Sequence, residues 1–493
     1  MSVKRVYNTL LFYVLLVLCA CTDSFDEINK NPNNPTQVTP ALLLAGIERD
    51  MMTTLVMETW EIGNAVIQHT AKNITTNTDR YIWGERNAIW NTVYDKLRDI
   101  NYILEQTDTK KDSNYRAVAL ILRAWMFSLA TDCYGDIPYS ETMQGKEGIL
   151  FPTYDPQEVI YEGILRDLAE ANRLIQENQV SIDNDFIYKG DMKKWQKLAN
   201  ALRLRYLLRI SGRKDVSSAM ETILANSQEN PLFESNADNA TYSFSPNAPD
   251  QFPILALRVA SFNEYRASQT LVNTLAAYND PRLFVYFRPT PATETTANPS
   301  DDQYLGIPNG MTEVRAATYN GGPDFQSRVG PLFYEQSISE QGRQIARGIL
   351  MTHAELQFIL AEAAEKKLIH GNAEPYYLNG IHASFDYYQL QPDENYLSQT
   401  LVAYTGSTAE KTSKIMTQKW ISLFFQGLEP WFDWRRTGHP KLKPGLDNQN
   451  ANKIPVRFIY PLLEQSLNGQ KQAEAVNRQG ADNINTPVWW DTP

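Results

Sequence analysis

PTYDPQEVIYEGILRDLAEANRLIQEN, residues 152–178, settles the class of fold before any other stretch does. Val159, Ile160, Ile164, Leu168, Ala171, Leu174 and Ile175 recur at helical spacing, over a length that no single strand reaches. Asp155 reads as the N-cap, with Pro156 at the first helical position and Glu158 at the third. The same grammar repeats outward in both directions. GDMKKWQKLANALRLRYLLRISG, residues 190–212, is capped by Asp191, and SNYRAVALILRAWMFSLATDCYG, residues 113–135, stops at glycine. In MTHAELQFILAEAAEKKLIHG, residues 351–371, Thr352 is the cap and Glu355 closes a capping box. Leu356, Leu360, Ala363 and Ala364 form its apolar face, and Gly371 follows the end. A further helix is expected between Glu410 and Gln426, stopping at Gly427. Helices of similar length, with no linker between them, imply a single, mainly α-helical domain built on helical hairpins.

Two stretches break this grammar. Residues 279–348 carry Pro281, Pro289, Pro291, Pro299, Pro308, Pro323 and Pro331 among several Gly and Thr, so no period survives. A long irregular stretch inside a globular body is a functional candidate. NPLFESNADNATYSFSPNAPDQFP, residues 230–253, reads as a connector with short strands at most. Of 10 Trp, 26 Tyr and 19 Phe, those on helical faces, such as Trp125, Phe127, Trp195, Trp420, Phe424 and Phe425, read as core. Those outside helices are the candidates for ligand contact. NITTNTDRYIWGERN, residues 73–87, sets Tyr81 and Trp83 among Asn77, Asp79 and Arg80, and the irregular stretch adds Tyr304, Tyr319 and Phe325 beside Asn and Gly. A flat ring flanked by planar donors and acceptors suits the apolar face of a sugar or the side chains of a peptide.

The N-terminus, MSVKRVYNTLLFYVLLVLCACTDSFDEINK, has the parts of a signal peptide over residues 1–20: Lys4 and Arg5, an apolar run from Thr9 to Leu18, and small Ala20. As a helix the run would rise only ~15 Å, half of a hydrocarbon core of ~30 Å. Cleavage after Ala20 would leave Cys21 first. LCAC resembles a bacterial lipobox, although Cys19 stands where Ala, Ser or Thr is usual, and the resemblance implies acylation of Cys21. Residues 21–40 are then a lipidated N-terminus and polar tether, and residues 41–493 the folded domain. Of three cysteines only Cys133 remains for the folded body, which excludes an intrachain disulfide and suits a small buried hydrophobe. A formal charge of −11 argues against nucleic acid and anionic lipid surfaces as partners.

Motifs for catalysis are missing: there is no HExxH, GxSxG, GxGxxG, P-loop or CxxC. His69, His353, His370, His382 and His439 share no helical face at ligand spacing, so neither a metal nor a cofactor is expected. Glu429 and Asp433, in QGLEPWFDWRRTGHP at 426–440, are four apart and resemble a retaining glycosidase pair. Arginine close to both favours ion pairing, which keeps both ionised and leaves no acid. Asp183, Asp185 and Asp191 lack the Gly and Glu of a calcium loop, and Asp191 is taken as a cap.

Six segments, in order, resemble the SusD/RagB family of nutrient-binding outer-membrane lipoproteins: CTDSFDEINKNPNNPT (21–36), ATDCYGDIPYSE (130–141), GDMKKWQKLANALRLRYLLRIS (190–211), ILMTHAELQFILAEAAEKK (349–367), QKWISLFFQGLEPWFDWRRTGHP (418–440) and NTPVWWD (485–491). His353 departs from the Tyr often found there. The resemblance implies tetratricopeptide-like helix pairs carrying a long, loop-rich ligand-binding face, and a binding protein rather than an enzyme. It further implies a lid on a SusC-like TonB-dependent transporter, anchored by lipid in the outer membrane and exposed at the cell surface, to which the acidic run Asp23 to Glu27 resembles an export signal. The cargo implied is an oligosaccharide or, in some members, a peptide; a structural subunit without its own ligand is a further alternative. The shared motifs read as structural: Gly135 ends a helix, Pro138 forbids its return, Tyr139 packs back, and Arg435 and Arg436 tie carboxylates.

Overall fold

Apolar periodicity becomes packing as the sequence requires. The computed structural model describes residues 38–107, 112–257, 261–294, 299–333 and 345–491. The expected signal peptide, Cys21 and the tether as far as residue 37 lie outside the described residues. Helix α1 (Pro40–Glu58) is capped by Thr39. α2 (Ala88–Gln106), α3 (Ser113–Tyr134), α4 (Gln157–Glu177) and α5 (Met192–Ile210) follow, then α6 (His353–Glu365), α7 (Ala373–Tyr387), α8 (Thr408–Ser422) and α9 (Glu429–Thr437). Each helix from α1 to α7 packs on the next, and α6 also packs on α8. Three two-stranded antiparallel ribbons, β1 (Thr70–Lys72) with β5 (Tyr265–Ala267), β2 (Ile137–Pro138) with β3 (Tyr154–Asp155), and β4 (Ala240–Tyr242) with β6 (Gly348–Met351), pin the connections to this scaffold. The fold is mainly α, as expected, with the connector at 230–253 supplying one short strand. Helix α3 is apolar and long enough to cross a membrane, yet it is almost wholly buried as the core helix.

Three cap assignments illustrate how tertiary partners redirect local chemistry. Asp191 accepts the Lys194 N–H at 3.2 Å, as its position predicts. Asp155 does not cap α4: its carboxylate accepts from the backbone N–H of Tyr139 and Ser140 at 3.2 and 2.7 Å, Pro156 is the cap residue, and Asp136 accepts the Gln157 N–H at 2.9 Å instead. Thr352 accepts the Glu355 N–H at 3.3 Å, but the box stays one-sided because the Glu355 carboxylate turns to Arg205 at 2.7 and 2.5 Å. Helix α8 ends at Ser422 rather than Gln426, and the turn that follows drives Phe424 against Tyr286, stacked at 4.3 Å.

Gly135 ends α3 at φ +86°, and Tyr139 packs back onto Phe127 at 4.6 Å. Its ring lies so close to α4 that a Cβ on Gly163 would sit 1.8 Å from the Tyr139 hydroxyl. Gly163→Ala is therefore expected to cost about 1–3 kcal/mol by overpacking, read as a lower urea midpoint with an unchanged slope. An unchanged midpoint would contradict this contact.

The C-terminal motif is an ion-pair web inside the helices. Arg209 meets Asp132 at 3.3 Å and also bonds Glu429. Asp433 lies between Lys419 at 3.0 Å and Arg436 at 2.7 Å, and Arg436 reaches Glu362 at 2.5 Å. Arg435 joins Asp491 at 3.2 Å and the carbonyl of Asp132 at 2.6 Å. Cys133 is fully buried, and burial pushes its thiol up.

Candidate functional site

Residues 67–87, 265–294, 299–333 and 443–452 converge on one face, held by hydrogen bonds that run between the loops as well as within them. β1 pairs with β5 in the register Thr70–Ala267, Ala71–Arg266, Lys72–Tyr265. Asn309 is the hub: its amide donates to the carbonyls of Thr70 at 2.7 Å and Ala65 at 3.2 Å, and its oxygen accepts from Ser268 at 2.7 Å. Gly310, at φ +72°, and Gly445 touch backbone to backbone, and a Cβ on Gly310 would stand 2.6 Å from the Gly445 Cα. Only glycine allows the three loops to close here. Beneath them Ala71, Ile307, Met311 and Ala316 form a small apolar cluster of their own, roofed by Tyr319.

The hairpin over that cluster is the most ligand-like element of the face. Asn320, Gly321 and Gly322 take φ of +58°, +98° and +111° in succession, which folds Tyr319–Gly321 back on Pro323–Phe325. The Tyr319 hydroxyl accepts from the Gln269 amide at 3.0 Å, and Gln326 donates to the carbonyls of Ala316 and Tyr319 at 2.7 and 3.1 Å. Phe325 is left 41% exposed with the exposed amide of Asn320 beside it. A ring and an amide held on a rigid turn can stack on and hydrogen-bond a ligand without first being ordered.

The eight candidate residues divide by depth. Tyr319, Phe325 and Asn77 reach the surface, and Tyr304, half-buried, forms an edge contact at 5.2 Å with exposed Phe284. Arg80 is fixed to the third loop: its Nε donates to the Asp447 carbonyl at 3.1 Å, and its own carbonyl accepts from the Gln449 N–H at 2.7 Å. Trp83, half-buried, donates to the Thr78 carbonyl at 3.0 Å and meets Trp431 of α9 at 6.1 Å, so it fastens the loop to the helices. Asp79, 1% exposed, and Tyr81, 3% exposed, touch other loops instead of solvent. Asp79 accepts the Asn309 amide at 3.4 Å as well as the Lys72 N–H of its own loop at 2.8 Å, and the Tyr81 hydroxyl accepts the Gly445 N–H at 3.3 Å. Burial pushes the Tyr81 hydroxyl up to about 12.

Burial also pushes the Asp79 carboxyl up to about 7, against the Lys72 N–H and the Lys72 charge. Since an unfolded aspartate titrates near 3.9, the folded chain holds a proton that the unfolded chain has lost between those values. The Asp79 contribution therefore stabilises at acid pH and fades as pH rises toward about 7. Asp79→Asn is expected to gain stability relative to the parent across that window and to run parallel to it above; parallel curves throughout would contradict the buried carboxyl.

Asp447, Gln269 and Arg315 also build the face, and sequence reasoning missed all three. Asp447 accepts the Thr312 N–H at 3.0 Å and pairs with Arg315 at 2.5 Å. The signal was present in the turn-forming run GLDNQNAN at 445–452, but that run holds no aromatic residue. Glu429 and Asp433 sit elsewhere, inside the helices. Burial pushes the Asp433 carboxyl up, but Lys419 and Arg436 overcome it and hold it well below the usual carboxylate range. Glu429 is held down likewise by Arg209 and Arg205. Two fixed anions cannot donate a proton to a glycosidic oxygen. Among the described residues, no cluster of three or more His, Cys, Asp or Glu offers a metal site.

A model for SusD-like proteins, described as "Starch-binding associating with outer membrane", matches residues 32–461. Among solved structures, a SusD homologue from Bacteroides fragilis NCTC 9343 is 28% identical with a TM-score of 0.77, and a second from that strain is 25% identical with a TM-score of 0.81. A chitin-binding protein is 27% identical with a TM-score of 0.78. Each covers 92% of this chain and is itself matched over 100% of its length. No curated protein sequence matches the chain.

Proposed function

Because this chain belongs to the SusD-like family, we propose that it is a nutrient-binding protein of the outer membrane, which captures oligosaccharides on the loop face and passes them to a SusC-like TonB-dependent transporter. The observation that carries this reading is the rigid hairpin at 319–325, with Phe325 and Asn320 presented on a face whose deeper residues are already committed to one another. Starch and chitin, named for the family and for one solved relative, set the first ligands to try. The role is binding without bond breaking, since the carboxylate pair that could have cut a glycan is neutralised by ion pairs.

Lipid on Cys21 and the tether up to residue 40 would hold this body near its transporter, raising effective concentration while leaving it free to open as a lid. Cys21→Ala is accordingly expected to leave affinity unchanged and to depress uptake of the oligosaccharide by whole cells. Undiminished uptake would contradict the tether. For the cargo itself, calorimetric titration with malto-, chito- and galacturonan oligosaccharides and with peptides, followed by mass analysis of the recovered ligand, is the test. Saturable binding of an intact oligosaccharide is expected. Turnover abolished by Asp433→Asn would overturn the reading, and binding of peptides alone would transfer it to peptide cargo.

A further inference from the structure

Six arginines are buried among the described residues, and five have a carboxylate partner: Arg205 with Glu355, Arg209 with Glu429, Arg282 with Asp280, Arg435 with Asp491 and Arg457 with Asp482. Arg266, in the middle of β5, is the sixth. It is 4% exposed, and among the described residues its guanidinium donates only to backbone carbonyls, those of Asn263 and, at 3.0 Å, Tyr265. Its Nε has no partner.

Arg328 stands beside it and, among the described residues, likewise has no carboxylate partner. Ala267 donates to the Ser327 carbonyl at 2.9 Å, which brings the strand of Arg266 alongside the segment of Arg328. The Arg328 Nε is buried and has no partner, and no described carboxylate pairs with it. Burial first, and the Arg328 charge second, push Arg266 down to about 10. A buried cation facing a second cation is an unfavourable arrangement for a fold to keep, above all in a chain with 57 acidic and 46 basic residues that pairs every other buried arginine among the described residues.

The pair sits at the root of the ligand-like hairpin. Arg266 is opposite Ala71 across the ribbon, and Ala71 belongs to the apolar cluster under Tyr319. Arg328 is two residues beyond Gln326, whose amide holds the Tyr319 carbonyl. Two guanidinium groups whose buried Nε donors lack partners match, in charge and hydrogen-bonding capacity, the oxygens of a carboxylate or sulfate, for which arginine is suited over lysine.

We propose that Arg266 and Arg328 bind an anionic substituent, carboxylate or sulfate, of an acidic glycan seated on the loop face; this rests on the oligosaccharide-capture reading above. The cargo is then a uronic-acid or sulfated oligosaccharide in preference to a neutral one. The anion supplies the counter-charge that the other five buried arginines find within the chain.

The test titrates the full-length protein with oligogalacturonate, a sulfated chito-oligosaccharide and a neutral malto-oligosaccharide of equal length. One of the acidic ligands is expected to bind about tenfold tighter than the neutral one at low salt, with the advantage shrinking at high salt. Arg328→Gln should abolish the advantage and leave neutral binding unchanged, while Arg328→Lys keeps part of it. Equal affinities in the parent, or an advantage that survives Arg328→Gln, would overturn the proposal. A second readout is independent of oligosaccharide capture: sodium glucuronate and sodium sulfate should raise the melting midpoint of the parent more than that of Arg328→Gln, with sodium chloride at equal ionic strength as the reference. The anion giving the larger difference names the substituent. Neutral oligosaccharide binding with no such difference overturns the anion site and spares the capture reading. A difference without binding of any oligosaccharide overturns the capture reading, and with it the assignment to glycan cargo, while the site itself stands.

Discussion

Arg209→Met is expected to destabilise the folded chain by about 3–5 kcal/mol, read as a drop in the urea midpoint at unchanged slope. The Arg209 side chain is fully enclosed between Asp132 and Glu429, with the rings of Phe432 and Trp490 each 5.4 Å from the guanidinium carbon. Methionine fills much of the volume but strands two carboxylates in a site that water does not reach. The penalty is that of the orphaned anions, not of one lost bond, so Arg209→Met combined with Glu429→Gln should recover part of it. Acid should narrow the gap as well, because a stranded Glu429 can protonate once Arg209 no longer holds its carboxyl down. Arg173 pairs with Glu170 and Glu177 at 2.7 and 2.5 Å, yet it lies on the surface where water screens both pairs, and Arg173→Ala should leave the urea midpoint nearly unchanged. Equal effects at the two sites would show that burial of the web is not what makes it matter.

Tyr319→Ala and Phe325→Ala together are expected to weaken oligosaccharide binding about ten- to a hundredfold while lowering the urea midpoint only slightly. Phe325 gives up exposed ring area that only a ligand would cover, and Tyr319 gives up one hydrogen bond, to Gln269 at 3.0 Å, and its packing over the small apolar cluster. Tyr319→Phe keeps the ring and isolates that bond. Trp83→Ala should behave differently, because Trp83 spans from the Thr78 carbonyl to Trp431 and Phe458: affinity and stability should fall together. A hairpin variant that loses stability without losing affinity would remove 319–325 from the binding face.

The helical scaffold was legible because helix α4 and its neighbours carry their burial in their own period, and a buried apolar stripe needs no distant partner to be recognised. Asp155 and Glu355 were misread for the opposite reason. Each is a good cap by local rules, but Ser140 and Arg205, far off in sequence, supply better partners. The face was only half legible. Aromatic residues among amides pointed to Tyr319 and Phe325, which lie at the surface, whereas nothing in a loop's sequence tells which residues point inward, so Asp79 and Tyr81 looked like their exposed neighbour Asn77. Asp447 reaches Thr312 and Arg315 across more than a hundred residues, and the unmatched charge of Arg266 is visible only against the five arginines that found partners.

Hydrogen exchange of the full-length protein, with and without its tightest-binding oligosaccharide, tests most directly whether the loop face holds the cargo. Protection is expected in residues 73–83, 313–328 and 443–450, with the amides of α3, α4 and α5 unchanged. Protection confined to the helical hairpins, with the three loops unaffected at saturating ligand, would contradict the account.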